Sequence, residues 1–255
     1  MNVAADRLSD DIMAIQYELN RFCSFGECLM TLPFPFIGKP PSDRFEMKPV
    51  AEYTAPRHFE YYGREAFREI YDDVRALDCR GGYSMYYLHG THGYGKSYIL
   101  AALVVFLIRQ GYKVVYLPDC RKLVRGFCWY LKKALVLTYT GKRTEQAEIL
   151  ACPDDESLLA WCNEVEDPLY FVIDQMNALD TREETLDSVD PVVRTKYATY
   201  IAQLEGNHYL IYSSGGNYQH GLLESTKQTG VKRKSLFGGL SQVSIVQKPG
   251  MVSAV

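Results

Sequence analysis

Residues 90–97, GTHGYGKS, combine three glycines with a lysine and a serine at the spacing of a phosphate-binding loop. The apolar segment MYYLH precedes them and SYILAALVVFLIRQ follows them, which predicts a strand, a loop and a helix in succession. The glycines would let backbone N–H groups turn toward phosphate oxygens, and the start of the helix adds partial positive charge. A chance glycine-rich turn is the alternative, and the flanking strand and helix argue against it.

The ligand predicted for this loop is ATP or a similar nucleotide. Lys96 would reach the β- and γ-phosphates and contribute to catalysis, and the Ser97 hydroxyl would bind Mg²⁺. The residues of this segment expected to contact the nucleotide are Gly90, Thr91, His92, Gly93, Tyr94, Gly95, Lys96, Ser97 and Tyr98.

The apolar segment LYFVI at residues 169–173 predicts a buried strand that ends in Asp174. Ligands bind at the carboxyl ends of parallel strands, so Asp174 is expected beside the phosphate loop, where it would hold Mg²⁺ through water. The alternative is an aspartate that caps the next turn. Gln175 follows where many such ATPases carry a glutamate base, and a glutamine can orient water but cannot accept a proton. Nucleotide binding is therefore better supported than fast hydrolysis.

Polar residues follow another predicted strand, residues 209–212. Ser213, Ser214 and Asn217 are candidates to sense the γ-phosphate or hold the attacking water, and an ordinary polar turn is an equal alternative. Of these, Ser214 and Asn217 are assigned to the catalytic set. The order of the strands along the chain resembles the additional-strand class of P-loop ATPases, in which the polar-tipped strand inserts between the other two.

The elements that must position these residues alternate along the chain. Strands are predicted at residues 85–89, 113–117, 169–173, 209–212 and 243–246. Helices are predicted over 64–77, 97–110, a long segment ending near 137, 145–163 with a break at Pro153, and 191–204. This alternation predicts a three-layer α/β fold with a mainly parallel sheet of about five strands.

Residues 1–55 are predicted to form an N-terminal extension, and residues 56–255 the nucleotide-binding domain. Apolar residues at helical spacing predict a helix over 8–23, with Ser9 as its N-cap. The following segment, 31–50, contains five prolines, which exclude a continuous helix. Its phenylalanines indicate an extended arm that packs on the body of the protein.

The composition is that of an ordinary globular protein, with 47% hydrophobic and 23% charged residues. The formal net charge of −3 gives no bulk indication of nucleic acid or an anionic membrane. Seven scattered cysteines without a Cys-x-x-Cys pair predict free thiols in a reducing compartment, the cytoplasm or the nucleus. The N-terminus lacks the features of a signal peptide, and the longest apolar run is about half the length that spans a bilayer.

Two basic segments are weaker candidates. Lys232, Arg233 and Lys234 could supply a cation to the γ-phosphate, although a solvated basic turn is favoured. A basic helix could contact a nucleic-acid backbone, although a solvated helix face is favoured; its residues are Arg121, Lys122, Arg125, Lys132 and Lys133.

Several blocks resemble known ATPases. Tyr62-Gly63-Arg64-Glu65 is similar to the aromatic-Gly-Arg-Glu entry of signal-transducing P-loop ATPases, where it lies near the base and ribose, so Arg64 joins the expected nucleotide-binding residues. Five further blocks resemble the Crinkler and retrotransposon-hot-spot ATPases of fungi, oomycetes and kinetoplastids: LPFPFIGKPPSDRFEM, HGTHGYGKSYILAAL, VVYLPDCRKL, LYFVIDQMNALD and KQTGVKRKSLFGGLS.

The resemblance implies an ATPase module that regulates or powers a C-terminal effector, often nuclease-like, in proteins that act in host or recipient nuclei and are in part secreted. The chain ends at Val255, and we expect it to lack such an effector, through which a nucleic-acid or host-protein target would be contacted. Two functions remain open. One is a Mg²⁺-dependent ATPase; the other is a nucleotide-gated switch that turns over slowly and acts by self-association. No membrane partner is expected.

Overall fold

The computed structural model of the protein describes residues 1–16, 18–24, 28–48, 57–78, 83–90, 93–180, 189–214 and 230–236. Within these residues the elements follow in the order α1 (Asn2–Met13), α2 (Leu19–Phe22), β1 (Leu29–Pro33), β2 (Met47–Lys48), β3 (His58–Tyr62), α3 (Glu65–Arg75), β4 (Met85–Gly90), α4 (Lys96–Arg109), β5 (Val114–Leu117), α5 (Cys120–Leu123), α6 (Phe127–Thr138), α7 (Arg143–Ala151), α8 (Asp155–Glu164), β6 (Tyr170–Ile173), a short 3-10 helix (Met176–Leu179), α9 (Pro191–Gln203), β7 (Tyr209–Ser213) and β8 (Val231–Leu236).

The central sheet has the strand order β5-β6-β7-β4-β8, and each neighbouring pair is parallel. Every residue of β5 and β6 is buried, which requires that both faces of the sheet are covered. The strand β7 lies between β6 and β4, as predicted from the order of the polar-tipped strand. The described chain therefore has the three-layer α/β fold of a P-loop NTPase, with five parallel strands in the additional-strand order.

A second, smaller sheet contains the N-terminal arm. Its order is β1-β3-β2, and both pairs are antiparallel. The side chains of Phe34, Phe36 and Phe45 are 2%, 5% and 3% exposed, which confirms that the arm packs on the body. Proline ends β1 at Pro33, at the edge of the sheet, where a missing backbone donor is tolerated. The division of the chain at residue 55 stays a prediction.

The N-terminal helix was predicted at the wrong place. It begins at Asn2 and ends at Met13, and Ser9 lies inside it, so Ser9 is not its N-cap. The buried stripe starts with Ala5 and continues through Leu8 and Ile12, so the helical pattern extends further toward the N-terminus than the larger apolar residues indicate.

Two other elements differ from the prediction. The long helix ending near residue 137 is interrupted before Gly126, and it forms the separate helices α5 and α6. The strand predicted at 243–246 lies outside the described residues, and the fifth strand is β8. The basic residues Lys232, Arg233 and Lys234 are therefore in an edge strand rather than a solvated turn. Charged residues are common on such strands because they discourage pairing with another chain.

The described helices include none that is both long and apolar enough to cross a membrane. The six cysteines in the described residues are all free thiols, as the sequence predicts for that part of the chain.

Candidate nucleotide site

The phosphate loop connects β4 to α4 at the carboxyl edge of the central sheet. Gly93 and Gly95 have backbone φ angles of 85° and 75°, a left-handed conformation that glycine adopts without steric cost. Helix α4 begins immediately after Gly95, so its first N–H groups and its dipole point toward the loop. Thr91 and His92, which were predicted to contact the nucleotide, lie outside the described residues.

Arg64 contacts the backbone of the phosphate loop. Its Nη1 donates a hydrogen bond to the backbone oxygen of Tyr94 at 2.6 Å. A Cβ atom on Gly95 would lie 2.6 Å from Arg64 Nη2, so only glycine lets the guanidinium approach the backbone this closely. Burial lowers the pKa of Arg64. The structure thus brings Arg64 to the loop, and its contact with a base or ribose stays a prediction.

Lys96 is placed at the phosphate loop as predicted. Its side chain is buried, and Nζ donates a hydrogen bond to the backbone oxygen of Gly90 at 2.8 Å. Burial lowers the pKa of Lys96, whereas the nearby Asp174 carboxylate opposes that shift. Ser97 is half-buried in the first turn of α4, next to the lysine. A cation and a hydroxyl therefore lie together at the start of this helix.

Asp174 follows β6 at the same edge of the sheet, and none of its surface is exposed. Its Oδ1 accepts hydrogen bonds from the backbone N–H of Gln175 at 2.9 Å and from the hydroxyl of Ser213. Its Oδ2 lies 3.1 Å from Nη1 of Arg44, which donates a hydrogen bond to it. Both carboxylate oxygens are thus engaged by groups of the protein.

Arg44 belongs to a ladder of alternating charges that sequence reasoning missed. Its Nη2 lies 3.1 Å from Oδ2 of Asp119, the residue that follows β5 and caps α5. Asp119 also accepts from Arg121, and Arg121 donates to Asp43. A similar signal for Asp119 was visible in the sequence, because an aspartate follows the apolar strand VVYL after one proline, whereas Asp174 follows its strand directly.

Gln175 has a φ of 63°, the one positive value found among the non-glycine residues that the structure describes. Such a backbone is sparsely populated by residues with a Cβ, and it often occurs at functional sites. It connects Asp174 to the short 3-10 helix. The half-buried side chain of Gln175 is consistent with the predicted role near the attacking water, and that role stays a prediction.

The two serines at the polar end of β7 form hydrogen bonds with different residues. Ser213 donates to Asp174, whereas the oxygen of Ser214 lies 2.5 Å from the hydroxyl of Tyr87 on β4. The sequence favoured Ser214 for the catalytic set, and the structure places Ser213 closer to the Asp174 carboxylate. Asn217 lies outside the described residues.

Tyr98, predicted to contact the nucleotide, packs against the arm. Its ring stacks on Phe45 with centroids 4.7 Å apart, and its hydroxyl accepts a hydrogen bond from the backbone N–H of Glu46 at 3.2 Å. The arm therefore contacts the residue that directly follows Ser97. No pattern in the sequence indicates this contact.

In the first basic segment, Lys232 and Lys234 form local ion pairs, and a cation supply from this segment to the γ-phosphate stays a prediction. Lys232 lies 3.7 Å from a carboxylate oxygen of Asp73, and Lys234 pairs with Glu69. The prediction of a solvated face fails for Lys132, which is buried and whose Nζ donates to the carbonyl oxygens of Leu150 in α7 and of Cys152, which follows that helix. Within the described residues, no group of three or more His, Cys, Asp or Glu side chains is arranged to hold a metal ion.

No protein-family model matches the sequence, and a search of curated proteins finds no match. Among solved structures, the chain is similar to AMPPCP-bound DnaA from Aquifex aeolicus, with 13% identity, a TM-score of 0.38, and coverage of 67% of this chain and 45% of that one. It is also similar to PCH-2 of C. elegans, with 12% identity, a TM-score of 0.37, and coverage of 69% and 42%. A DNA replication initiation factor gives 16% identity, a TM-score of 0.35, and coverage of 66% and 44%.

The chain thus spans less than half the length of these proteins. Similarity at this level carries no functional information, and the assignment of the fold rests on the strand order and on the loop between β4 and α4.

Proposed function

We propose that this chain is a P-loop ATPase module that binds the triphosphate of ATP at residues 90–97. The observation that carries the proposal is the loop itself. Its glycines adopt left-handed angles, the buried Lys96 points at the loop, and helix α4 starts at its end. This arrangement provides backbone donors, a helix dipole and one cation at the same point, which is what a chain of phosphates requires.

Magnesium is the proposed partner of the triphosphate, and its ligands would be the hydroxyl of Ser97 and the carboxylate of Asp174. Oxygen donors of this kind suit Mg²⁺, which usually keeps several waters and few protein ligands, so the chemistry of the two residues fits. The ion would neutralise negative charge on the phosphates. Oδ1 of Asp174 accepts two hydrogen bonds and Oδ2 accepts one, from Arg44, so an ion or its water at Oδ2 would lie beside the Arg44 guanidinium.

The test is calorimetric titration of ATP and of adenosine into wild type and Lys96→Ala. Charge-assisted hydrogen bonds to phosphate contribute about 1.5 to 3 kcal/mol each, so ATP affinity should fall roughly tenfold to over a hundredfold. Adenosine has no phosphate, and its binding, where measurable, should not change. The matched control is Lys113→Ala, which removes the same charge at a surface ion pair with Asp167 beside β5. Equal ATP affinity in wild type and Lys96→Ala would contradict the proposal.

A slow nucleotide-gated switch is the second candidate, and Gln175 is the observation that favours it. A glutamine beside Asp174 cannot act as a general base, and general bases contribute about 10² to 10⁴ in rate. We therefore expect slow phosphate release by wild type and a rise of tenfold or more in Gln175→Glu. Fast hydrolysis by a wild-type monomer, independent of protein concentration, would exclude the switch and leave the ATPase.

The Crinkler-type effector role is supported by the five sequence blocks alone, four of which contribute to the site described above. We propose that the module acts by nucleotide-dependent self-association and that a nucleic-acid or host-protein target is bound outside it, in the nucleus or cytoplasm. Gel filtration with ATP and with EDTA measures the self-association. An elution volume that is the same under both conditions at every protein concentration would contradict it.

A further inference from the structure

The N-terminal arm crosses the carboxyl edge of the central sheet and places one side chain inside the candidate site. The guanidinium of Arg44 is 12% exposed and directs one nitrogen to Asp174 and another to Asp119, each at 3.1 Å. These carboxylates follow the neighbouring strands β6 and β5, which pair in register up to Leu117 and Ile173. One arm residue thus joins the ends of two strands at the nucleotide site.

Arg44 and a divalent cation would compete for the same oxygen of Asp174. A Mg²⁺ ion binds carboxylate oxygens at about 2.0–2.1 Å, and it would repel a guanidinium held at the same atom. The other oxygen already accepts from Ser213 and from the N–H of Gln175. Oδ2 is therefore the oxygen of Asp174 that is left for an ion or its water, and the arm already donates a hydrogen bond to it.

A second contact connects the arm to the phosphate loop. Phe45, next to Arg44, stacks on Tyr98, which directly follows Ser97 in the first turn of α4. The ring of Phe45 also lies 4.9 Å from that of Phe34 and 5.6 Å from that of Phe59. Movement of Arg44 away from Asp174 would therefore disturb the contact between Phe45 and Tyr98, in the same helical turn as Ser97.

We infer that Arg44 is a positioning residue that competes with the divalent cation for Asp174, so that binding of the Mg²⁺–nucleotide complex releases the arm from the site. This inference rests on the proposed function and specifies its regulation. When Arg44 leaves, Asp119 still forms its ion pair with Arg121, so its negative charge remains neutralised. The position of the arm at the protein surface would then depend on whether the Mg²⁺–nucleotide complex is bound.

The experiment measures ATP binding as a function of Mg²⁺ concentration in wild type, Arg44→Gln and Arg121→Gln. Arg121 pairs with Asp119 and Asp43 in the same ladder, which makes it the matched control. In Arg44→Gln the Mg²⁺ midpoint should fall about tenfold or more, because the ion pair between Arg44 and Asp174 no longer has to be broken before the ion binds. The midpoint should rise rather than fall in Arg121→Gln, because the release of Arg44 would then leave Asp119 without a counter-charge.

A second readout uses the wild-type protein and so does not depend on the folding of a variant. Trypsin cleavage after Arg44 should be slow in the free protein, because this side chain is buried and paired, and faster with ATP and Mg²⁺. ATP with EDTA should leave the cleavage rate unchanged. Cleavage that is equally slow with ATP and Mg²⁺ would overturn the inference.

The remaining outcomes separate the inference from the proposed function. Equal Mg²⁺ midpoints in wild type and Arg44→Gln would overturn the competition while leaving nucleotide binding intact. A loss of ATP affinity in Arg44→Gln at every Mg²⁺ concentration would show that Arg44 binds phosphate, and it would overturn the inference as well. Absence of ATP binding by wild type would contradict the proposed function itself.

Discussion

The two sides of the candidate site are built from contacts of different range. On the phosphate side, the residues are consecutive and contact one another, as when Lys96 donates to Gly90 six positions earlier. On the Asp174 side, the partners are distant in sequence: Arg44 is 130 positions away and Ser213 is 39 positions away. The first side is a local motif, and the second exists only after the whole sheet and the arm have folded.

This difference has an energetic consequence. The phosphate loop directs backbone groups and one lysine at a ligand, and few other contacts depend on them. The Asp174 carboxylate, by contrast, neutralises a guanidinium that is nearly buried, and breaking such a pair on one side leaves an uncompensated charge. Substitutions on the phosphate side should therefore mainly reduce nucleotide binding, whereas those on the Asp174 side should reduce stability as well as Mg²⁺-dependent binding.

The largest expected effect is that of Asp174→Asn on the free energy of unfolding. Loss of one partner of a buried ion pair costs about 3 to 5 kcal/mol. The asparagine would present to Arg44 either its NH2 group, which cannot accept a hydrogen bond, or its neutral carbonyl oxygen, which is a weaker acceptor than a carboxylate. Lys96→Ala removes the hydrogen bond to Gly90, and the loss of that bond should cost about 1 kcal/mol. Urea denaturation of both variants measures the contrast.

The control for this prediction is Asp167→Asn, which breaks an exposed pair with Lys113 and should cost at most about 1 kcal/mol. In the Asp174→Asn background, Arg44→Gln should be less destabilising than in wild type, because the two residues interact directly. If the effects of the two substitutions simply add, Arg44 and Asp174 are not coupled and the contrast between the two sides is lost.

The sequence predicted the local side of the site well. A strand, a glycine-rich loop and a helix are encoded by adjacent residues, so β4, the loop and α4 were placed to within about one residue. The order of β6, β7 and β4 was also predicted, but from the resemblance to the additional-strand class of P-loop ATPases rather than from the residues themselves. Asp174 was correctly brought to the edge of the sheet, because it directly follows the buried strand β6.

The contacts of the arm could not be predicted. An arginine in a proline-rich segment can be neutralised at many surfaces, and no local pattern specifies that Arg44 reaches across to Asp174. The same holds for Tyr98, whose position in the first turn of α4 is compatible with either a ligand or the arm. Strand β8 was missed because three consecutive basic residues fit a solvated turn better than the alternating pattern of a strand.

An intermediate effect is expected at Gly95, where the loop and Arg64 are in contact. A left-handed backbone costs an alanine roughly 1–2 kcal/mol. In Gly95→Ala the added methyl group would also displace Arg64, so stability should fall further and ATP affinity should be lost. The matched control is Gly141→Ala, with a φ of 77° and no atom within 4 Å of the new Cβ. Equal effects of the two substitutions on ATP affinity would show that the contact with Arg64 does not shape the loop.

The smallest effect is expected for Tyr98→Phe. This substitution tests whether the Tyr98 hydroxyl serves the nucleotide or the arm. The substitution keeps the ring on Phe45 and removes only the oxygen that accepts the N–H of Glu46. Since Glu46 is exposed and water can replace that acceptor, the cost should be about 0.5 to 1 kcal/mol. ATP affinity should not change, whereas trypsin cleavage after Arg44 in the free protein should become faster, because the arm has lost one of its attachments.

The matched control for Tyr98→Phe is Tyr112→Phe, which removes a hydroxyl that accepts from Arg75 at 3.2 Å. It should cost a similar amount of stability without any change in cleavage after Arg44, because neither residue contacts the arm at that point. A tenfold loss of ATP affinity in Tyr98→Phe with unchanged cleavage would assign the hydroxyl to the nucleotide, as the sequence alone predicted. Unchanged affinity with faster cleavage would assign it to the arm, and the phosphate side of the site would then end at Ser97.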